Sequence, residues 1–243
     1  HVGGPLSCID MITALYFYKM NYDPKKPAWE DRDRFVLSSG HLCAGLYATL
    51  AHRGVFAEKE LWGFRKLGSP LQGHPKFNLK MGIEMSTGSL GQGMSVANGM
   101  ALAARVAQKN YRVYSLETDG GSEEGMVWEG AMTAAHYKLD NRCVLFDLNN
   151  VQIDGYVCDV MNIEPVAGKF RAFNWNVIEI DGHNMSQICA ALDEAERFKG
   201  KPTAIIGKTV LGKGVPLFEN KPRFHGTPPT DEEFKIAMEA LGA

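Results

Sequence analysis

The sequence predicts an α/β fold, a doubly wound parallel sheet with helices on both faces, formed as a single domain over residues 1–243. Three observations carry this expectation. A β-like run at 111–116 (YRVYSL), a helical run at about 126–137 and a second β-like run at 143–148 make one strand–helix–strand unit. An earlier apolar run at 34–37 leads through Ser38-Ser39-Gly40-His41 into another helix, giving a strand, a small-residue turn and a helix. Two more strands, at 175–180 and 202–210, flank an amphipathic helix at 185–198, and no repeat, linker or low-complexity tract interrupts the series.

The other elements follow in order. Pro5 suits a helix start, and Ile9, Ile12, Leu15, Tyr16 and Met20 recur at helical spacing; Met11, Ala14 and Phe17 widen the apolar face, so burial is expected. Pro24 and Pro27 mark a loop over 21–31. The helix after His41 runs to His52 and stops at Gly54. A short helix at 58–65 precedes an irregular loop at 68–80 that holds Gly73-His74-Pro75. Gly88, Gly91 and Gly93 then open a long small-residue helix reaching about Gln108, where the chain can approach a ligand closely and the helix dipole favours an anion. Past the central unit, 163–173 is expected as surface loop and short helix. A long loop from Leu211 carries His225, and the closing helix at 230–241 has Asp231, Glu232 and Glu233 in its first turn.

Composition narrows the function classes. A formal charge of −2 gives no global basic field for nucleic acid. No apolar run is long enough to span a bilayer, so no membrane partner is expected. Cys8, Cys43, Cys143, Cys158 and Cys189 are scattered without a C-x-x-C pair, which fits free thiols in a reducing cytoplasm and argues against zinc bound by Cys and His. No signal peptide is recognised, and the numbering opens on His1 without an initiator Met.

The central unit carries the chemistry. In a parallel sheet both of its strands end at the same edge, so Asp119 and Asn149 can face one point across 30 positions of sequence. A carboxylate and an amide oxygen, with the Val151 carbonyl as a third ligand, suit Mg²⁺ (or Ca²⁺ or Mn²⁺) holding a diphosphate. Gly120 and Gly121 let the turn bring N–H groups near an anion. Taken one at a time, each motif is also an ordinary turn or Asn-rich loop.

Together the motifs resemble the thiamine diphosphate signature of transketolases. The similarity lies in Asp119-Gly120 and Glu124-Gly125, in the run Met-Val-Trp-Glu-Gly-Ala-Met-Thr-Ala-Ala-His-Tyr-Lys-Leu-Asp-Asn, and in Asp147-Leu-Asn-Asn-Val-Gln-Ile-Asp-Gly. It extends to Arg34-Phe-Val-Leu-Ser-Ser-Gly-His, to Gly73-His-Pro, and to Thr87-Gly-Ser-Leu-Gly-Gln-Gly. One departure stands out: the family usually has Gly before the Asp, and here it is Thr118, whose β-branch adds bulk near the diphosphate.

The resemblance implies thiamine diphosphate held by His41, Gly88, Ser89, Leu90, Asp119, Gly120, Gly121, Glu124 and Asn149, with Asp119, Asn149 and Val151 on the metal. It implies that His1, His41, His74 and His225 line a sugar channel and help proton transfer, whereas His52 and His136 are structural and His183 stays open. Glu124, and less so Glu129, would sit at an interface between two cofactor sites; the plain alternative is acidic charge near a helix start. The implied reaction moves a two-carbon ketol unit from a ketose (phosphate) to an aldose (phosphate). The resemblance covers nearly all 243 residues, all of it in the family's N-terminal, diphosphate-binding part, and no second unit resembles the pyrimidine-binding domain. The expectation is a split transketolase: a C-terminal subunit supplies that domain, and two copies of each chain make a heterotetramer. Rival readings are the α subunit of a 2-oxoacid dehydrogenase, a deoxyxylulose phosphate synthase, or a non-catalytic cofactor- or partner-binding module. A dinucleotide-binding protein is disfavoured because no strand leads into Gly-x-Gly-x-x-Gly with an acidic residue about 20 positions on.

Overall fold

The computed structural model describes residues 1–242. Its main sheet has five parallel strands: β1 (Arg34–Leu37), β2 (Val113–Thr118), β3 (Arg142–Leu148), β4 (Asn176–Asp181) and β5 (Thr203–Lys208), in the spatial order β1-β2-β3-β5-β4. The longer helices are α1 (Gly3–Ala14), α2 (Cys43–His52), α3 (Gln92–Val106), α4 (Gly125–His136), α5 (Val166–Ala172), α6 (Met185–Arg197) and α7 (Asp231–Leu241).

The strand order explains the two layers of helices. From β1 to β4 the chain advances in one direction, skipping one place, and then steps back to insert β5. Right-handed crossovers lay α3, α4 and α5 of the forward connections on one face and α6 of the backward connection on the other, a face that α1 and α2 share. Accordingly Val36, Val113, Val144, Phe146, Ala204 and Ile206 pack with α3, α4 and α5. The alternate residues Phe35, Leu37, Tyr114, Leu116, Leu145 and Ile205 pack with α1, α2 and α6. Strands buried on both faces need apolar residues at successive positions, which is why 113–116 and 143–146 read as near-continuous apolar runs.

The structure redraws several boundaries. β2 starts two residues later than 111 and runs on to Thr118, so Thr118 is the last strand residue and not part of the turn. Tyr111 instead lies beneath the Arg34 guanidinium, 3.7 Å from ring centroid to Cζ. The first helix does not stay α-helical to Met20; its last turn widens over Leu15–Lys19 and closes with Met20 N donating to the Leu15 carbonyl. The segment after Ala57 is a tighter helix over Glu58–Gly63. The long loop from Leu211 is folded back on itself: Val215, Phe218 and Phe224 form a small core with Ala237 of α7, and a one-turn helix at Arg223–Gly226 presents His225. α7 opens on a full capping box, with Thr230 and Glu233 each accepting from the other's backbone N–H.

Candidate active site

The β2–β3 register pairs Thr118 with Asp147, so Asp119 and Asn149 leave the same sheet edge side by side. Asp119 is 4% exposed. Its Oδ1 accepts from Gly120 N at 2.9 Å and its Oδ2 from Asn150 N at 2.5 Å. Burial, followed by the nearby Asp147 charge, pushes the Asp119 carboxyl up to about 7 despite those bonds. Asn149 is fixed through its amide: Nδ2 donates to Asp147 Oδ2 at 3.1 Å and Ser7 Oγ at 3.3 Å, while Oδ1 accepts from Val151 N at 3.0 Å. After Asn149, a hairpin of Val151–Gln152 with Gly155–Tyr156 carries Val151 back over the site. Asn150, at φ 61°, starts that turn in the left-handed region that Asn tolerates.

One cavity of about 90 Å³ brings together His41, Leu90, Thr118, Asp119, Gly120, Gly121, Asn149, Val151 and His225. His1 adjoins it, with its ring centroid 5.0 Å from that of His41. Burial, then the fields of His225 and His74, hold the His41 imidazole down at about 4, and burial also lowers His225. Both rings are therefore neutral near pH 7, each able to donate one hydrogen bond and accept another.

Other expected site residues stand apart from this cavity. His74 is exposed and lies beside Gly88, where an added Cβ would be 3.4 Å from its ring. Ser89 is exposed. Glu124 is exposed at the N-cap of α4 and makes no side-chain capping bond. His52 and Glu58 form an exposed pair at 3.0 Å. His183 is a brace: Nδ1 meets Asp10 at 2.9 Å, and Nε2 accepts from Val210 N at 2.9 Å.

Two expectations about backbone donors need correction. The Gly120 and Gly121 N–H groups do not face an anion freely. Gly120 N is taken by Asp119 Oδ1, and Gly121 N donates to Thr118 Oγ1 at 3.2 Å. Thr118 Oγ1 also shares a 2.8 Å hydrogen bond with Ser39 Oγ. The residue that departs from the family pattern thus ties the turn to the end of β1, and its hydroxyl is spent on that contact. Gly91 and Gly93, in turn, serve packing: an added Cβ would lie 2.9 Å from Glu124 Cβ and 2.5 Å from Ser38 Cβ respectively. They seat the start of α3 against β1 and α4.

The sequence reading missed the residues beneath the site. Asp147 is fully buried and receives Ser7 Oγ at 2.5 Å, Thr209 Oγ1 and the Asn149 amide. Burial raises its carboxyl, opposed by those donors. The two-residue spacing was the available signal, because Asp147 near the end of β3 lies two positions before Asn149 and bonds its amide. Glu117 is also buried, and burial pushes it up to about 7, opposed by the Ser38 hydroxyl and the Arg142 charge. Ser7 and Thr209, far apart in sequence, offered no local signal.

The family comparison matches residues 1–243 to the domain described as transketolase, thiamine diphosphate binding domain. The chain belongs to the transketolase family. It is 43% identical over 241 residues to the 6-deoxy-6-sulfo-D-fructose transketolase subunit SqwG of Clostridium sp. (strain MSTE9), covering 99% of this chain and 88% of that one. It is 40% identical to a subunit of the apulose-4-phosphate transketolase of Phocaeicola vulgatus, covering 98% and 84%. Among solved structures it superposes on transketolase from Campylobacter jejuni with a TM-score of 0.91 at 36% identity, over all of this chain but 39% of that one. The chain thus overlaps most of the length of proteins that are themselves transketolase subunits, and 39% of a long transketolase; transketolases are transferases.

Proposed function

We propose that this chain, as one diphosphate-binding domain, completes a transketolase site with a separate subunit that carries the pyrimidine-binding half. The observation that carries this is the single cavity lined by Asp119, Asn149 and Val151 together with His41 and His225. The residues fit the cofactor. The buried Asp119 carboxyl, pushed up to about 7, is relieved by a cation beside it. Asp119 Oδ, Asn149 Oδ1 and the Val151 carbonyl are hard oxygen donors of the kind Mg²⁺ takes, with Ca²⁺ or Mn²⁺ as substitutes.

Bound there, thiamine diphosphate supplies the nucleophilic carbon that carries a two-carbon ketol unit from ketose to aldose. The chain's own residues do the rest. Asp119, Asn149 and Val151 hold the metal, and Leu90 closes the apolar side of the cavity. Gly88 and Ser89 lie at its approach, and Gly120 and Gly121 would offer their N–H groups to the diphosphate in place of their internal bonds. His41 and His225, neutral at working pH, donate to or accept from sugar hydroxyls and move a proton at their ring nitrogens. His1 and His74 extend that lining toward the entrance, and Glu124 faces the partner assembly. Substrates are sugars or sugar phosphates, and the names of the two subunit relatives point to less common ketoses. The assembly is two of each chain. The described cysteines, all free, suit a reducing cytoplasm.

Calorimetric titration of thiamine diphosphate with Mg²⁺ tests this, first into the chain alone and then into its mixture with the partner subunit. Binding that is tight only in the mixture, with ketol transfer from a ketose donor, is the expected result. Full turnover by the lone chain, or no binding in either case, overturns the two-chain reading.

A further inference from the structure

His183 stands in the turn that follows β4, outside the cavity, with its side chain only 11% exposed. Asp181 Oδ1 accepts from His183 N at 2.9 Å, which fixes the turn. Nδ1 of the ring lies 2.9 Å from Asp10 Oδ2 of α1, and Nε2 accepts from Val210 N at 2.9 Å. A backbone N–H can only donate. Nε2 therefore carries the lone pair, and the ring is the neutral tautomer whose Nδ1–H is donated to Asp10.

Val210 belongs to the strap that leaves β5. Thr209, beside it, donates through its N–H to the Leu148 carbonyl at 3.2 Å and through Oγ1 to Asp147 Oδ1. Asp147 Oδ2 accepts from Asn149 Nδ2 at 3.1 Å. The line His183–Val210–Thr209–Asp147–Asn149 thus runs from the turn after β4 to the side chain whose oxygen is offered to the metal. α1 backs this strap along one face. The Gly3 carbonyl accepts from Gly212 N at 2.9 Å, Ser7 Oγ donates to Asp147 Oδ2 at 2.5 Å, and Asp10 holds His183. Gly3, Ser7 and Asp10 recur at helical spacing, so the helix meets the strap in register.

We propose that His183 is a positioning residue for the metal-binding edge: its neutral Nδ1–H tautomer, oriented by Asp10, pins Val210 and thereby sets Thr209, Asp147 and Asn149. The consequence for cofactor binding rests on the transketolase reading, whereas the tautomer and its hold on Asn149 do not. The arrangement carries its own proton dependence. A second proton, on Nε2, would face the Val210 N–H donor to donor and free the strap. The charged groups around the ring are acidic: Asp10 on α1, Asp181 at the end of β4, and Asp147 on β3 within reach of the His183 field. Lys208, the register partner of Asp181 on β5, is exposed.

The test begins with ¹⁵N imidazole and amide spectra of the metal-free chain. At about pH 8, His183 is expected to show a protonated Nδ1 and an unprotonated Nε2; toward about pH 5 it should gain the second proton as the Val210 amide loses exchange protection. His183→Asn keeps a donor for Asp10 but is too short for Val210, whereas His183→Gln puts an oxygen where Nε2 stands. The Asn149 side-chain amide signals should therefore move in His183→Asn and stay in His183→Gln. In the mixture with the partner subunit, His183→Asn should weaken Mg²⁺-supported binding of thiamine diphosphate about tenfold, the scale of one buried hydrogen bond left unmade, and His183→Gln no more than about threefold. Asp119, at about 7, also shapes the pH profile, so the difference between wild type and His183→Gln is what is read. Wild-type affinity should fall more steeply toward acid pH, and Asp10→Asn, which removes a charge that favours the second proton, should move that fall to lower pH. Far-UV circular dichroism verifies that the variants are folded. An Nε2–H tautomer at about pH 8, equal losses in His183→Asn and His183→Gln, or no loss in either overturns the proposal. If the wild-type mixture binds no thiamine diphosphate, the transketolase reading fails, while the tautomer, the Val210 protection and the Asn149 signals of the lone chain still decide the role of His183.

Discussion

Consider Asp119→Asn in the metal-free chain. The wild-type carboxyl sits at about 7 in the folded protein against an ordinary 3.8. An acid whose folded value is raised binds its proton more tightly when folded. Its stability contribution is therefore neutral below about pH 4 and becomes a growing penalty as pH rises toward 7, levelling off above it. The difference between the two values corresponds to about 4 kcal/mol as an upper limit. Asparagine removes the charge but presents an NH₂ to one of the two N–H groups that now donate to Asp119, which takes back about 1–2 kcal/mol. The variant should be about 2 kcal/mol more stable than wild type at pH 8, and within about 1 kcal/mol of it at pH 4. Urea unfolding at both pH values measures this. With the partner chain present, bound magnesium and thiamine diphosphate should stabilise the wild type by about 2.7 kcal/mol at a hundred times Kd and the variant by little. A stability difference that is the same at pH 4 and pH 8 would refute the idea that burial of this charge is what the metal relieves.

Other perturbations are just as direct. Thr118→Val leaves Ser39 Oγ and Gly121 N–H without their partner and should cost about 1–3 kcal/mol in urea unfolding, with Thr118→Ser restoring most of it. Gly93→Ala drives a methyl to 2.5 Å from Ser38 Cβ, so thermal unfolding should show a loss of about 1–3 kcal/mol. His41, held at about 4 by burial and by His225, should show flat ring shifts by NMR from pH 7 down to about 5. Because its folded value is below its ordinary 6.5, stability should fall as pH drops from 6.5 toward 4, and His41→Gln should flatten that slope.

The sheet was legible in the sequence because its strands are buried on both faces. Continuous apolar runs such as 143–146 between amphipathic helices have few other solutions, and the strand–helix–strand unit alone predicts that Asp119 and Asn149 meet. The positions of His41, Asp119, Asn149, Val151 and His225 followed from motif spacing and resemblance, and the fold gathers them around one cavity. Boundaries were less legible. Nothing local distinguishes Thr118 as the end of β2 from Thr118 as the start of a turn, since that is set by its pairing with Asp147. Only the tertiary structure decided what the turn's donors do. Gly121 N–H goes to Thr118 because Ser39, 79 residues earlier, fixes that hydroxyl from across the sheet. The Asp147 network likewise joins Ser7 and Thr209 from two distant segments to the neighbouring Asn149. Sequence spacing encodes local geometry, whereas the partner of a buried polar atom is chosen by whichever distant segment the packed core brings to it.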